Sequence, residues 1–253
     1  MTRAVISLLS LALGATVLGA ATKSQPLPAP VGTRHSAVDA GSIARKLASV
    51  TSVPAMIITA PRYDEHAEAI RRLHDGAPGT YIGEILRERD SALARWPDRH
   101  GVPLTVWIQP RSTVPDFDVG YADCVREAFG EWDALHLPVK FKFVTDSAKA
   151  DVHVTWINHF DQPISGRTRW ARDDDWLITD ANIILAIHHS QGEQLDEDAM
   201  RAMAMHEIGH LLGLDHTSDS LSIMAPRVRV RELSNADRAT VRLLYDLPAG
   251  SLR

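Results

Sequence analysis

The stretch His206-Glu207-Ile208-Gly209-His210-Leu211-Leu212-Gly213-Leu214-Asp215-His216 constrains this chain more than any other part of it. Residues four apart on a helix project from one face, so the imidazoles of His206 and His210 lie side by side and can share a metal ion. Glu207 is next to that face but too far round to be an easy third ligand; its natural role is to take a proton from a metal-bound water. Gly213 permits the sharp turn that ends the helix. Beyond it His216 swings back as a third ligand. Three neutral nitrogen ligands leave a fourth tetrahedral position for water, which is the arrangement of a catalytic zinc rather than of a closed structural site. Two histidines at helical spacing arise easily by chance. Five residues in register over eleven positions, on a predicted helix that ends at its glycine, do not.

Composition limits the partners. The chain has 253 residues, 45% hydrophobic and 23% charged, enough for one substantial core. A single cysteine excludes a disulfide framework and any cysteine-rich zinc cluster. Lys and Arg number 27 against 32 Asp and Glu, a formal charge of −5, so no nucleic acid partner is expected.

The amino terminus reads as a targeting signal. Met1-Thr2-Arg3 supplies a positive start, an apolar stretch runs from Ala4 to Gly19, and Leu18-Gly19-Ala20, with Ala21 as a near alternative, forms a small-residue cleavage site. That pattern predicts a secretory signal peptide over 1–21 and a secreted or periplasmic protein without stable membrane association. The competing reading is a retained membrane anchor, for which the run is at the short edge. With no cysteine near the site, a lipid-modified terminus is excluded.

Residues 22–40 are Pro-rich and polar, a leader. From 41 to 100 the pattern is helical, with Asp64–His74 and Ile82–Trp96 as helices separated by Asp75-Gly76 and Pro78-Gly79. Strand alternation begins at Pro103: Leu104, Val106 and Ile108, then Val139, Phe141 and Phe143, then Val152, Val154 and Trp156, then Ile183, Leu185 and Ile187. A helix starting near Asp118 carries Tyr121, Cys124, Val125, Ala128, Phe129 and Trp132 at spacings of three and four. Gln162–Asp175 reads as a polar loop. Helices are predicted over Glu197–Leu212 and over Asn235–Tyr245, the latter with Ser234 as N-cap. The order is that of an α/β domain over 101–248, with a helical segment before it.

On these residues the chain resembles the metzincin zinc peptidases, and among them the matrixins. Met224, followed by Ala225 and Pro226, matches the family's Met-turn, a tight turn that places a methionine beneath the metal, and Thr217-Ser218 follow the third histidine as in matrixins. Ala128-Phe129 with Trp132, Ala150–Val154, and Leu233-Ser234 with Asp237 and Leu244-Tyr245 resemble other parts of the catalytic domain. The resemblance implies an α+β fold: a twisted, mixed sheet of four to five strands with an active-site helix and a carboxy-terminal helix. It also implies a zinc-dependent endopeptidase, with one catalytic zinc on His206, His210 and His216, Glu207 as general base, and a peptide or protein substrate. The substrate is expected to lie extended against the fourth strand around Asn182, Ile184 and Ala186, with Pro226 nearby. Nothing matches the propeptide cysteine of the animal members. Ala225 replaces the usual aromatic residue after the methionine, and no structural-zinc loop is recognisable between Asp161 and Ile178. These departures resemble compact bacterial relatives without a hemopexin-like domain.

Other features carry less. Cys124, on the apolar helix face, reads as a packed core thiol. His188-His189 point to opposite faces of a strand, which disfavours a second metal there. Asp173-Asp174-Asp175 form either a calcium site or a solvated turn. Arg227, Arg229 and Arg231 alternate with Val228 and Val230 as a charged face, and Asp215 and Asp219 are candidates for hydrogen bonds supporting the third ligand. Two rivals remain on the residues alone: a zinc-stabilised peptide-binding protein without turnover, and a hydrolase of non-peptide amides. Residues 41–100 are either a removable pro-segment or a permanent extension.

Overall fold

The computed structural model describes residues 64–252. The expected signal peptide, the leader and the start of the helical segment (1–63) lie outside the described residues. Five α-helices follow in order: α1 (Glu65–Gly76), α2 (Ile82–Glu88), α3 (Tyr121–Asp133), α4 (Glu197–Leu211) and α5 (Asn235–Asp246). The strands are β1 (Ala92–Leu93), β2 (Leu104–Ile108), β3 (Phe141–Phe143), β4 (Val152–Ile157), β5 (Gly166–Arg172), β6 (Ile178–Ala186) and β7 (Gly250–Ser251).

Five of them make one mixed sheet in the order β3-β2-β4-β6-β5, parallel except for β5, which runs antiparallel to β6. Leu104, Val106 and Ile108 of β2 and Val152, Val154 and Trp156 of β4 are buried, as the period-two pattern requires. α3 buries Cys124, Val125, Ala128, Phe129 and Trp132 against α4, and α4 packs on β5 and β6. Cys124 is a buried core thiol whose pKa burial raises to about 11. No described helix is long and apolar enough to cross a membrane.

Two expectations need correction. Gln162–Asp175 is not all loop: Gly166–Arg172 is the edge strand β5. Its alternation pairs Thr168 and Trp170 with arginines, and both faces are partly wet, so no apolar stripe marks it. The helix expected over Ile82–Trp96 ends at Glu88, because Asp90 and Ser91 adopt φ of 53° and 65°. The chain then forms β1, which pairs with β7 beyond α5.

α4 is the centre of the domain. It is buried nearly all round, including Met200, Ala204, Met205, Ile208 and Leu211, and Asp196 caps its first turn by accepting from the Ala199 amide at 2.7 Å. Its far end closes as a Schellman turn: Leu214 N donates to Gly209 O and Gly213 N to His210 O, both at 3.0 Å. Gly213 has φ +100°, and a Cβ there would lie 2.1 Å from the Ala94 carbonyl oxygen. The remaining carbonyls are satisfied from afar, Leu211 O by the Trp96 indole (2.9 Å) and Leu212 O by the Tyr245 hydroxyl (3.1 Å).

α5 has the predicted Ser234 cap, completed into a capping box by Asp237. The fully buried Asp237 carboxylate also accepts from Ile223 N (3.1 Å), the Ser222 hydroxyl and the Tyr81 hydroxyl (3.1 Å). One carboxylate thus ties α5 to the turn before Met224 and to the segment entering α2.

Gly213→Ala combines a left-handed non-glycine residue with a backbone clash, and it is expected to cost roughly 3 kcal/mol or more. Urea unfolding measures this, and an unchanged midpoint would refute the account of the turn.

Candidate metal centre

α4 delivers two imidazoles to one face and the turn after Gly213 delivers the third. His210 Nε2 lies 3.2 Å from His206 Nε2 and 3.2 Å from His216 Nε2. No other group of three metal-donor side chains converges among the described residues. His206 Nδ1 donates to Ile223 O at 2.7 Å and His210 Nδ1 to Leu214 O at 3.1 Å. A carbonyl can only accept, so each Nδ1 carries the proton and each Nε2 presents a lone pair to its neighbour. Burial keeps these rings neutral: it lowers the His206 pKa to about 4 and, with the neighbouring imidazoles, that of His210 well below the usual histidine range. Facing lone pairs at 3.2 Å repel unless a cation lies between them. A tetrahedral zinc with Zn–N bonds of about 2.0–2.1 Å sets N–N edges of about 3.3–3.4 Å, so the donor set fits that ion.

Glu207 occupies the next position on α4, buried against β5. The Thr168 hydroxyl lies 2.7 Å from Glu207 Oε2 and 2.9 Å from the Glu207 carbonyl oxygen. Gly166 has no side chain where a Cβ would lie 2.4 Å from Glu207 Oε1. Burial raises the Glu207 pKa to about 7, partly offset by the Thr168 contacts. Met224 is fully buried, and its Sδ would sit 2.3 Å from a Cβ on Gly209, so packing leaves no room for a side chain at that glycine between the two helical histidines.

These groups open into a cleft of about 860 Å³, walled on one side by Ser165–Thr168 and on the other by Pro226–Arg229. Of the residues expected to contact substrate, Pro226 lines it. Asn182, Ile184 and Ala186 do not. β6 is hydrogen-bonded to β4 on one side and β5 on the other, so it has no free edge to offer a peptide. The edge facing the cleft belongs to β5.

Asp215 supports the third ligand through that ligand's main chain, whereas the Asp219 carboxylate serves its own turn. Asp215 accepts from His216 N (2.9 Å) and pairs with Arg89 (3.1 Å), and Asp219 accepts from Leu221 N (2.9 Å). His188 bonds Asn158 (2.7 Å) and Asp116 (3.1 Å), while His189 bonds Ser165 (2.8 Å), so the two turn apart. Asp173 Oδ1 accepts from the amides of Asp175 (3.1 Å) and Leu177 (2.8 Å), a turn, and nothing supports calcium there. Sequence reasoning missed Gly166 and Thr168, for which β-formers bounded by glycine and an aspartate turn were the available signal. It also missed the carbonyls of Leu214 and Ile223, for which there was none.

A mixed sheet with an antiparallel edge strand over a helix bearing two of three convergent imidazoles and a buried glutamate is a zincin-type fold. Residues 95–246 match the family described as Matrixin, and the chain belongs to that family. It is 29% identical over 141 residues to metalloendoproteinase 1-MMP of Arabidopsis thaliana, covering 47% of this chain and 36% of that protein. It is 27% identical over 172 residues to the same plant's metalloendoproteinase 2-MMP, covering 60% and 43%. Human matrix metalloproteinase-16 is 27% identical over 206 residues, covering 69% and 31%. Each match spans less than half of the relative's own length.

Glu207 gives a pH signature in metal-free protein. Its folded pKa is raised, so its contribution to stability is complete below about pH 4.5 and is lost as pH rises to about 7. Relative to Glu207→Gln, the wild type should lose about 3 kcal/mol across that window. Urea unfolding at pH 4, 6 and 8 measures the difference; a gap that does not change with pH would contradict the burial of an ionisable Glu207.

Proposed function

We propose that this chain is a zinc-dependent endopeptidase. The observation that carries the reading is the convergence of the histidine Nε2 atoms, with the Nδ1 protons of His206 and His210 committed to carbonyls, beside a buried glutamate at the cleft wall. His206, His210 and His216 hold the ion. A bound zinc supplies a Lewis acid for the scissile carbonyl and makes a water acidic enough to be deprotonated near neutral pH. Glu207 accepts the proton from the attacking water and hands it to the departing amine, a task suited to a carboxylate whose pKa is close to neutrality. Thr168 and Gly166 keep that carboxylate against the β5 edge. Met224 forms the floor.

The peptide lies extended along β5 rather than β6, where unpaired main-chain groups take any sequence and the opposite wall selects side chains. That wall and rim carry Arg167, Arg227 and Arg229, while among the described residues the only carboxylate in the lining is the buried Glu207. Acidic side chains flanking the scissile bond suit this cleft. We assign the catalytic domain to 101–248, and the same reading includes export by the signal at 1–21.

Purified full chain should hold one zinc and cleave a mixed peptide library in a chelator-sensitive manner. Glu207→Ala should keep the zinc and lower kcat by roughly 10²–10⁴-fold. Wild-type cleavage by that variant would remove Glu207 as the base, and zinc without any cleavage by the wild type would favour the peptide-binding alternative. Within the library, peptides with Asp or Glu next to the cut should predominate. The double variant Arg227→Glu, Arg229→Glu should shift cleavage toward basic peptides, and an unchanged profile would remove these arginines from specificity.

A further inference from the structure

The family match begins at residue 95, yet the loop that carries His216 is held by side chains that precede it. Arg89, whose side chain is only 12% exposed, donates to Asp215 Oδ2 (3.1 Å), Gly213 O (2.8 Å) and Leu214 O (3.3 Å). Two of these acceptors already serve the histidines: Leu214 O takes the His210 Nδ1 proton, and the Asp215 carboxylate takes the His216 amide. On the other side of His216, Glu84 accepts from the Thr217 hydroxyl (3.2 Å), Ser218 N (2.8 Å) and the Ser218 hydroxyl (3.3 Å). Every residue from Gly213 to Ser218 except His216 is bonded directly to Arg89 or Glu84, and His216 is held at one remove, through its amide on the Asp215 carboxylate.

We infer that Arg89 and Glu84 are positioning residues for the metal loop, and that the segment carrying them is a retained part of the working domain rather than a removable pro-segment. A turn anchored at Gly213 alone leaves His216 at the end of a short, exposed loop. Two charged clamps from α2 and its end convert that loop into a rigid arm, so the third ligand is placed before the ion arrives. The described residues before α2, from 64 on, are attached as well. Tyr81 N donates to Thr240 Oγ1 at 3.1 Å, the Arg72 guanidinium donates to Asp246 O at 3.2 Å, and a Cβ on Gly76 would lie 2.6 Å from Leu243. Cleavage between Arg89 and Trp96 would therefore strip the clamp from the site instead of uncovering it.

The inference rests on zinc being the ion of the histidine site, and the test separates the two. Zinc affinity of the full chain is measured by chelator competition, with the visible spectrum of the cobalt-substituted protein reporting tetrahedral geometry. If the wild type binds no zinc, the zinc reading fails and the inference falls with it. If it binds, Arg89→Met should weaken zinc about 10–100-fold and distort the cobalt spectrum. Arg89→Lys should recover only part, since an ammonium cannot reach three acceptors in a fork. A purely structural role would lower the melting temperatures of metal-free and zinc-loaded protein equally. A positioning role shrinks the gap between them, because zinc stabilises in proportion to its affinity. Should Arg89→Met fail to fold, Glu84→Gln carries the same test, with the same weakening expected. Wild-type zinc affinity in the variant that folds overturns the inference. So does active protein whose amino terminus, determined by sequencing, lies beyond Arg89; an amino terminus at or before Tyr81 supports it.

Discussion

The end of α4 is the constraint on which the site depends. From Ile208 to Leu214 seven consecutive carbonyls would be orphaned or exposed where the helix stops, and each has a partner. Local amides serve three, and the indole of Trp96, the hydroxyl of Tyr245 and the guanidinium of Arg89 serve the others, with His210 sharing the last. The chain can turn there only because Gly213 has no side chain to strike Ala94. Satisfying the helix terminus and aiming the third histidine are thus one structural event, and buried polar groups left unpaired at that point would each cost about 1–3 kcal/mol.

The same economy governs the electrostatics. Neutral imidazoles with their lone pairs turned inward are unfavourable by themselves, and they persist because Ile223 and Leu214 fix the tautomers of His206 and His210 and burial resists protonation. Glu207 is likewise held in a place that disfavours its charge. Perturbed groups of this kind, gathered in a cleft, mark a site arranged for a ligand rather than for stability. The surrounding core absorbs the cost. Asp237 accepts from donors on α5, on the Met224 turn and at Tyr81, and so locks the floor of the site to the back of the domain.

The sheet's contribution is an edge. Because β5 doubles back antiparallel on β6, the strand bordering the cleft has one unpaired side, whereas a wholly parallel sheet would have ended with β6 in that position. β5 also brings Gly166 and Thr168 to the glutamate, so one short polar strand both borders the cleft and sets the position of the Glu207 carboxylate. Its arginines, with those after Pro226, give a positive rim to a chain whose formal charge is −5.

Most of this was legible where the information is local. Helical spacing placed His206, Glu207 and His210, the glycine after them predicted the turn, and period-two alternation located β2, β4 and β6, because a face that must be buried leaves its period in the chain. Ser234 and its capping box were readable for the same reason. β5 was not, since an edge strand wetted on both faces carries no apolar stripe, and missing it moved the expected substrate track one strand inward to Asn182, Ile184 and Ala186. Arg89 and Glu84 were also out of reach: their partners lie 126 and 134 residues away, and no periodicity encodes a bond across such a distance. By itself the sequence determined which side chains would gather at one point, through the geometry of one helix and one glycine. Only the tertiary structure decided what holds those side chains still and which edge lies open beside them, because both depend on segments that meet only once the chain has packed.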